Sequence, residues 1–251
     1  MWHDVVDLRD FYETHLGQTA RRMVRRGIRA LWPDVRGQCL LGLGYATPYL
    51  RHFVSEAERV LAFMPASQGV LHWPPEGPGA TALVDETDLP LPDMSVDLVL
   101  LVHAVESSEY QRDMLREIWR VLTGEGRLLV VAPNRRGIWA RVDRTPLGWG
   151  HPYSPAQLSR LLRDNMFTPT RSARALFVPP TRSRALLHSA PAWERIGNRW
   201  FPTFAGVVLV EAGKQLYAPS LHVERKRFRR PIVVPLPQAA RPVARGRAGA
   251  V

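Results

Sequence analysis

The amino-acid sequence predicts an α/β fold, a doubly wound parallel sheet covered by helices on both faces. Two observations carry that prediction. Apolar runs of strand length alternate with segments of helical periodicity, and the connections between them are short. The first run, Cys39 to Leu43, passes straight into Gly44, which permits a tight turn where a side chain would meet steric cost. A strand, a small-residue turn and a helix in that order bring backbone N–H groups near a nucleotide. The same order also occurs in α/β proteins that bind none.

Residues 4–31 read as one amphipathic helix, because Leu8, Tyr12, Leu16, Ala20, Met23 and Ile28 fall close to one face. Asp4 or Asp7 supplies its cap, and Trp32-Pro33 stops it. Arg21, Arg22, Arg25 and Arg26 form a basic band on the other side, either a solvated face or one for a phosphate or a partner. A helix is expected to begin over 49–56, and further strands at 59–64, 80–85, 96–103 and 127–132. A Gly/Pro-rich loop over 68–79 separates the second strand from the third. Met114, Leu115, Ile118 and Leu122 mark one face of a helix over 109–122, which Gly124-Glu125-Gly126 is expected to end. Ser154-Pro155 opens another helix, through Leu158, Leu161 and Leu162. Strands at 172–178 and 205–212 complete the set. Residues 179–204, with Trp193 and Trp200, are expected to cap the sheet.

Composition bounds the function. The chain has 251 residues, 45% hydrophobic and 23% charged, which is ordinary for a globular protein with a sizeable core. No apolar run is long enough to span a membrane, and Met1-Trp2-His3-Asp4 does not open a secretory signal. The single Cys39 excludes an internal disulfide and any multi-cysteine metal site, so no metal is expected and a reducing cytoplasm is. The net charge is +11, but residues 219–251 hold eight Arg or Lys against Glu224 alone, which leaves +4 for the rest. Three segments follow: an N-terminal helix over 1–34 packed on the core, the main domain over 35–218, and a Pro/Arg-rich tail over 219–251 expected to be extended.

The stretch Asp85-Glu86-Thr87-Asp88-Leu89-Pro90 through Val99, followed by Leu115 through Leu128 and then Pro133-Asn134, resembles the class I S-adenosylmethionine-dependent methyltransferases, and the type-11 branch most closely. The resemblance covers roughly residues 36–215. It implies a Rossmann-like seven-stranded methyltransferase sheet with its last strand antiparallel. It also implies S-adenosylmethionine as cofactor, held by Gly42, Gly44, Tyr45 and Ala46 after the first strand. Met64 falls where the family's second-strand acid grips the ribose hydroxyls, and Asp85 falls where an acid contacts adenine. Glu86 and Val102 complete the implied cofactor set.

The pattern departs from the family at four places. Gly42 replaces the acid that ends the first strand, Ala46 and Pro48 replace two of the three glycines, and Met64 replaces the ribose acid. A buried site built to accept hydroxyl hydrogen bonds loses on the order of 1–3 kcal/mol for each unmet group. Losing two acids therefore weakens cofactor binding roughly a hundredfold or more. On the substrate side the resemblance places His103 as the candidate base at the end of the fourth strand. Glu106, Asn134, Trp149, His151 and Tyr153 come from loops on the same edge and are candidates to line a substrate pocket. Two functions stay open: a small-molecule methyltransferase with an altered cofactor loop, and a noncatalytic protein that keeps the fold as a partner or regulatory subunit. The overall pattern resembles methyltransferase-like proteins encoded beside glyoxalase II-type hydrolases, which makes such a hydrolase a candidate partner. Nucleic acid is not the expected substrate, because no Asn-Pro-Pro-Tyr-type motif is present and the charge lies mostly in the tail.

Overall fold

The computed structural model describes residues 4–216; the expected tail beyond 218 lies outside them. The chain opens with α1 (Val5–Glu13) and α2 (His15–Leu31), two helices where one was expected. Thr14 makes the break. Its backbone is extended and its hydroxyl caps α2 by accepting the Gly17 N–H at 3.0 Å. Gly17 is required there, since a Cβ would lie 2.0 Å from the Phe11 carbonyl oxygen.

β1 (Cys39–Gly44) leads into α3 (Thr47–Leu50), a single turn rather than the longer helix expected over 49–56. Then follow β2 (Arg59–Pro65), β3 (Thr81–Val84), β4 (Val96–Val102) and α4 (Gln111–Val121). β5 (Leu122–Pro133) starts directly after α4, so the Gly-Glu-Gly stretch expected to precede a strand lies inside one. α5 (Pro155–Asp164) has the reciprocal Ser154/Gln157 capping box. β6 runs over Phe167–Ala175, earlier than expected, because its Thr168-to-Arg174 stretch is polar and largely exposed. α6 (Arg184–His188) and α7 (Ala190–Trp200) precede β7 (Val207–Lys214).

The seven strands form one sheet in the order β3-β2-β1-β4-β5-β7-β6. Strands β1 to β5 pair in parallel, while β7 runs antiparallel to both β5 and β6. Strand alternation then builds two cores. Leu40, Leu98, Leu100 and Val102 face one side and pack with Met23, Val24 and Ile28 of α2. Leu41, Leu43, Val99 and Leu101 face the other and pack with Met114, Leu115 and Ile118 of α4. The arginine of the Arg-Glu-Ile-Trp-Arg stretch that ends α4, Arg120, clamps the loop before β4. It donates to the carbonyls of Leu91 (2.8 Å) and Leu89 (3.0 Å) and pairs with Glu117 and Asp93.

One charge is buried in the sheet. Glu211 on β7 accepts from Trp32 Nε1 at 3.0 Å and from Arg171 Nε at 2.6 Å. Burial raises its pKa, but Arg171, Trp32 and Arg127 outweigh that and hold it below the ordinary value. A lowered folded-state pKa gives stability that is present above the unfolded value, about 4.3, and is lost as pH falls through the folded one. Glu211→Gln is therefore expected to cost roughly 1–3 kcal/mol at neutral pH. Urea unfolding from pH 7 down should show that deficit shrinking below about pH 4.

Candidate functional site

The crevice of a doubly wound sheet opens where strand order reverses, at the carboxyl ends of β1 and β4. Here Gly44 pairs with Val102 across those strands. Gly44 has φ +86°, and a Cβ on it would lie 2.3 Å from the Val102 carbonyl oxygen. Gly42, two residues earlier, is buried under α3. A Cβ there would meet Leu50 Cδ1 at 2.6 Å and Ala46 Cβ at 2.8 Å.

β4 is followed by His103, a non-glycine residue with φ +52°. Three contacts hold this strained turn. Its carbonyl accepts from Ser107 Oγ at 2.8 Å and from Gln68 Nε2, and Gln68 also donates to Ser107 Oγ at 2.8 Å. The Gln68 carbonyl in turn accepts the Val5 N–H at 2.8 Å, which ties the start of α1 to the loop after β2.

The other end of α1 enters the crevice. Tyr12 Oη lies 2.8 Å from His103 Nε2 and 2.9 Å from Tyr49 Oη. Its ring stacks on Tyr45 with centroids 5.7 Å apart, and all four side chains are buried. On the far side of the imidazole, Glu106 Oε1 stands 3.3 Å from His103 Nδ1. One proton direction fits the bonded part of the row: Tyr49 donates to Tyr12, and Tyr12 to His103 Nε2. Burial pushes the Tyr12 hydroxyl well above the ordinary tyrosine value and Tyr45 up to about 12, so both remain protonated at neutral pH. Neither Glu106 oxygen has a hydrogen bond of good geometry among the described residues, although the side chain is buried.

The remaining candidates divide into three groups. Asp85 and Glu86 line a cavity of about 320 Å³ together with Ala66, Ser67, Val84 and Ser107. Asp85 is exposed and accepts from the Thr87 N–H (2.8 Å) and hydroxyl (2.7 Å), which holds its carboxyl below the ordinary pKa, while Glu86 accepts from Ser108 Oγ at 2.6 Å. His151 and Tyr153 line a second cavity, of about 690 Å³, whose wall includes Arg135 and Gln157. The His151 N–H donates to the Glu106 carbonyl at 2.9 Å, so this loop is bonded to the backbone of the row. The third group consists of side chains bonded to their neighbours, with Asn134 also lining a cavity of about 220 Å³. Asn134 Nδ2 donates to Ala205 O (2.7 Å) and Thr203 O (2.9 Å), Trp149 Nε1 donates to Asp143 O, and Met64 is buried with its sulfur 3.4 Å from the Leu71 N–H. Sequence reading missed Tyr12, Tyr49, Gln68 and Ser107. Tyr12 sits in the apolar stripe of the first helix, where its hydroxyl was the one available signal.

Residues 41–130 match the type-11 methyltransferase domain. A Thermotoga maritima S-adenosylmethionine-dependent methyltransferase is similar in structure, with a TM-score of 0.58, 15% identity, and cover of 84% of this chain and 96% of that one. So is a chain solved in complex with the Haloferax volcanii Trm112 methyltransferase activator (TM-score 0.57, 17% identity, cover 84% and 99%). A third is the Burkholderia thailandensis 1,6-didemethyltoxoflavin-N1-methyltransferase, solved with its substrate and S-adenosylhomocysteine (TM-score 0.53, 17% identity, cover 84% and 85%). No curated protein matches the chain in sequence. The matched segment and the strand order together give this chain the fold of the class I S-adenosylmethionine-dependent methyltransferase superfamily. Its fold is the one that binds S-adenosylmethionine in that superfamily.

The residues present fit that cofactor at one end only. The cavity beside Asp85 matches the adenine position. At the ribose position, the buried thioether of Met64 offers no hydroxyl acceptor comparable to a carboxylate, and β2 contains no acid. Just after the Gly44 turn, where the resemblance puts the methionine end, Tyr45 and Tyr49 are buried and packed against Tyr12. The chain thus keeps the fold with acids at the adenine end and none on β2.

Proposed function

We propose that this chain is a methyltransferase-fold protein that does not itself catalyse methyl transfer and acts through another protein. One observation carries the reading: the Tyr12 hydroxyl, bonded to both His103 and Tyr49, sits in the crevice where the methionine half of the cofactor belongs. The chain's own first helix thus substitutes for ligand, and the Val5–Gln68 bond fastens that helix at its other end. Replacement of the ribose acid by Met64 supports the same conclusion independently. The relative seen with the Trm112 activator is a precedent for this fold working in a complex, and the sequence offers a glyoxalase II-type hydrolase as the candidate partner. Calorimetric titration with S-adenosylmethionine is expected to give no saturable binding up to about 1 mM, the equivalent of roughly 4 kcal/mol. Micromolar affinity together with methyl transfer to any acceptor overturns the reading. A purified chain that stays monomeric and captures no protein overturns its partner half.

A second reading is favoured by Glu106, a buried carboxyl behind an imidazole, which is the arrangement of an oriented base. On that reading α1 is a lid, His103 takes a proton from a small-molecule acceptor held by His151 and Tyr153, and Glu106 orients the imidazole. Asp85 then carries the adenine contact, and Asp85→Ala should weaken cofactor binding at least about tenfold. An unchanged dissociation constant removes that assignment.

A further inference from the structure

The segment between β6 and β7 presents a surface that the crevice does not use. Trp193, Ile196 and Trp200 recur at i, i+3 and i+7 on α7 and are 39%, 52% and 69% exposed. Phe201 and Phe204 extend the same apolar face past the helix end, and both are exposed by more than half. Soluble chains rarely leave five large apolar side chains together in water without an occupant for them. The helix is fixed in this orientation. Gly197 lies against the Phe177 ring, where a Cβ would come within 2.4 Å of it, so the side of α7 that carries Gly197 and borders the Trp193–Trp200 stripe is committed to the body of the protein.

Charge identifies the occupant. Residues 179–206 contain Arg182, Arg184, Arg195 and Arg199 and one acid, Glu194. All four arginines are exposed, and none forms an ion pair among the described residues. Glu194 turns inward, and its carboxylate accepts the Phe177 N–H at 2.8 Å. The outward side of α7 therefore combines aromatic and aliphatic side chains with the uncompensated Arg195 and Arg199, the latter 5.8 Å from the Trp200 ring centroid, whereas Arg182 lies beside Phe11 and Thr14. Tryptophan and phenylalanine flanked by arginine match the boundary layer of an anionic bilayer, where rings enter the headgroup region and guanidinium groups meet lipid phosphate. A protein partner with the same apolar contacts would have to supply acids for both Arg195 and Arg199.

We propose that α7 and the turn after it form an interfacial docking surface for an anionic phospholipid membrane. The chain lies on the bilayer and does not cross it; among the described residues no helix is long and apolar enough to span one. Arginine supplies the lipid selectivity, and Trp200, Phe201 and Ile196 supply the insertion. The arginines of the 219–251 segment add long-range attraction of the same sign.

The test is co-sedimentation of the full chain with vesicles of phosphatidylglycerol and phosphatidylcholine, against vesicles of phosphatidylcholine alone. The wild type is expected to partition onto the anionic vesicles and not onto the neutral ones. Trp200→Ser with Phe201→Ser, both exposed and so harmless to folding, should reduce that partitioning by about tenfold or more, since two rings no longer leave water. Brominated lipid should quench tryptophan fluorescence in the wild type and less in Trp193→Phe/Trp200→Phe. Three results overturn the proposal: no partitioning onto anionic vesicles, partitioning unchanged in the double variant so that the tail alone accounts for it, or a wild-type oligomer that the double variant dissociates while vesicles are ignored.

Discussion

Gly42→Asp, which restores the acid that the methyltransferase family carries at the end of the first strand, is expected to cost about 3–5 kcal/mol of stability and to leave cofactor binding unimproved. Two effects add. The new Cβ would stand 2.6 Å from Leu50 Cδ1 and 2.8 Å from Ala46 Cβ, so the one-turn helix α3 must move off the sheet. The carboxylate beyond it would enter a region where Leu40, Ala46 and Leu50 are fully buried and would bring no counter-charge with it. For a chain of this size the melting midpoint should fall by roughly 6–20 °C. A variant that melts within a degree or two of the wild type would show that α3 is loose, and that Gly42 is a neutral substitution rather than part of a repacked crevice.

Tyr12→Ala should produce the second large change, about 3–5 kcal/mol, because it removes a buried ring and strands two polar partners. Tyr12→Phe separates these contributions. It keeps the ring against Tyr45 and removes the hydroxyl that bonds His103 and Tyr49, so it should cost roughly 1–3 kcal/mol. Denaturant unfolding of both variants checks the pair. A negligible cost for Tyr12→Phe would mean that α1 rests on the crevice without being bonded into it, as a mobile lid would.

Much of the fold was legible in the residues. β1, β2, β4 and β5 were expected as apolar runs, and the sheet pairs them side by side. β6 was displaced because only one of its neighbours is a strand and its side chains are largely in water, so no apolar run marks Phe167–Ala175. The break at Thr14 was written in Thr14 and Gly17, but the apolar stripe continues across it on both helices and hides it.

The crevice was half legible. The losses at Gly42, Ala46, Pro48 and Met64 are visible as text, and so is Asp85. What fills the space was not, because Tyr12 is 91 residues from His103 in sequence and periodicity assigns it to the core like any aromatic residue. Glu106, placed among the substrate residues, proves to be a buried carboxyl facing an imidazole, a relation that spacing of three residues permits but does not require.

Closure of the crevice by Tyr12 is tested most directly at His103 itself. The imidazole resonances of the ring-labelled full chain, assigned with His103→Gln, would be followed during titration with S-adenosylhomocysteine. Closure predicts no saturable change up to about 1 mM ligand, roughly 4 kcal/mol of binding, and a clear displacement of the same resonances in Tyr12→Phe. Saturation at micromolar ligand, with the Tyr12→Phe spectrum superimposable on the wild type, would contradict it.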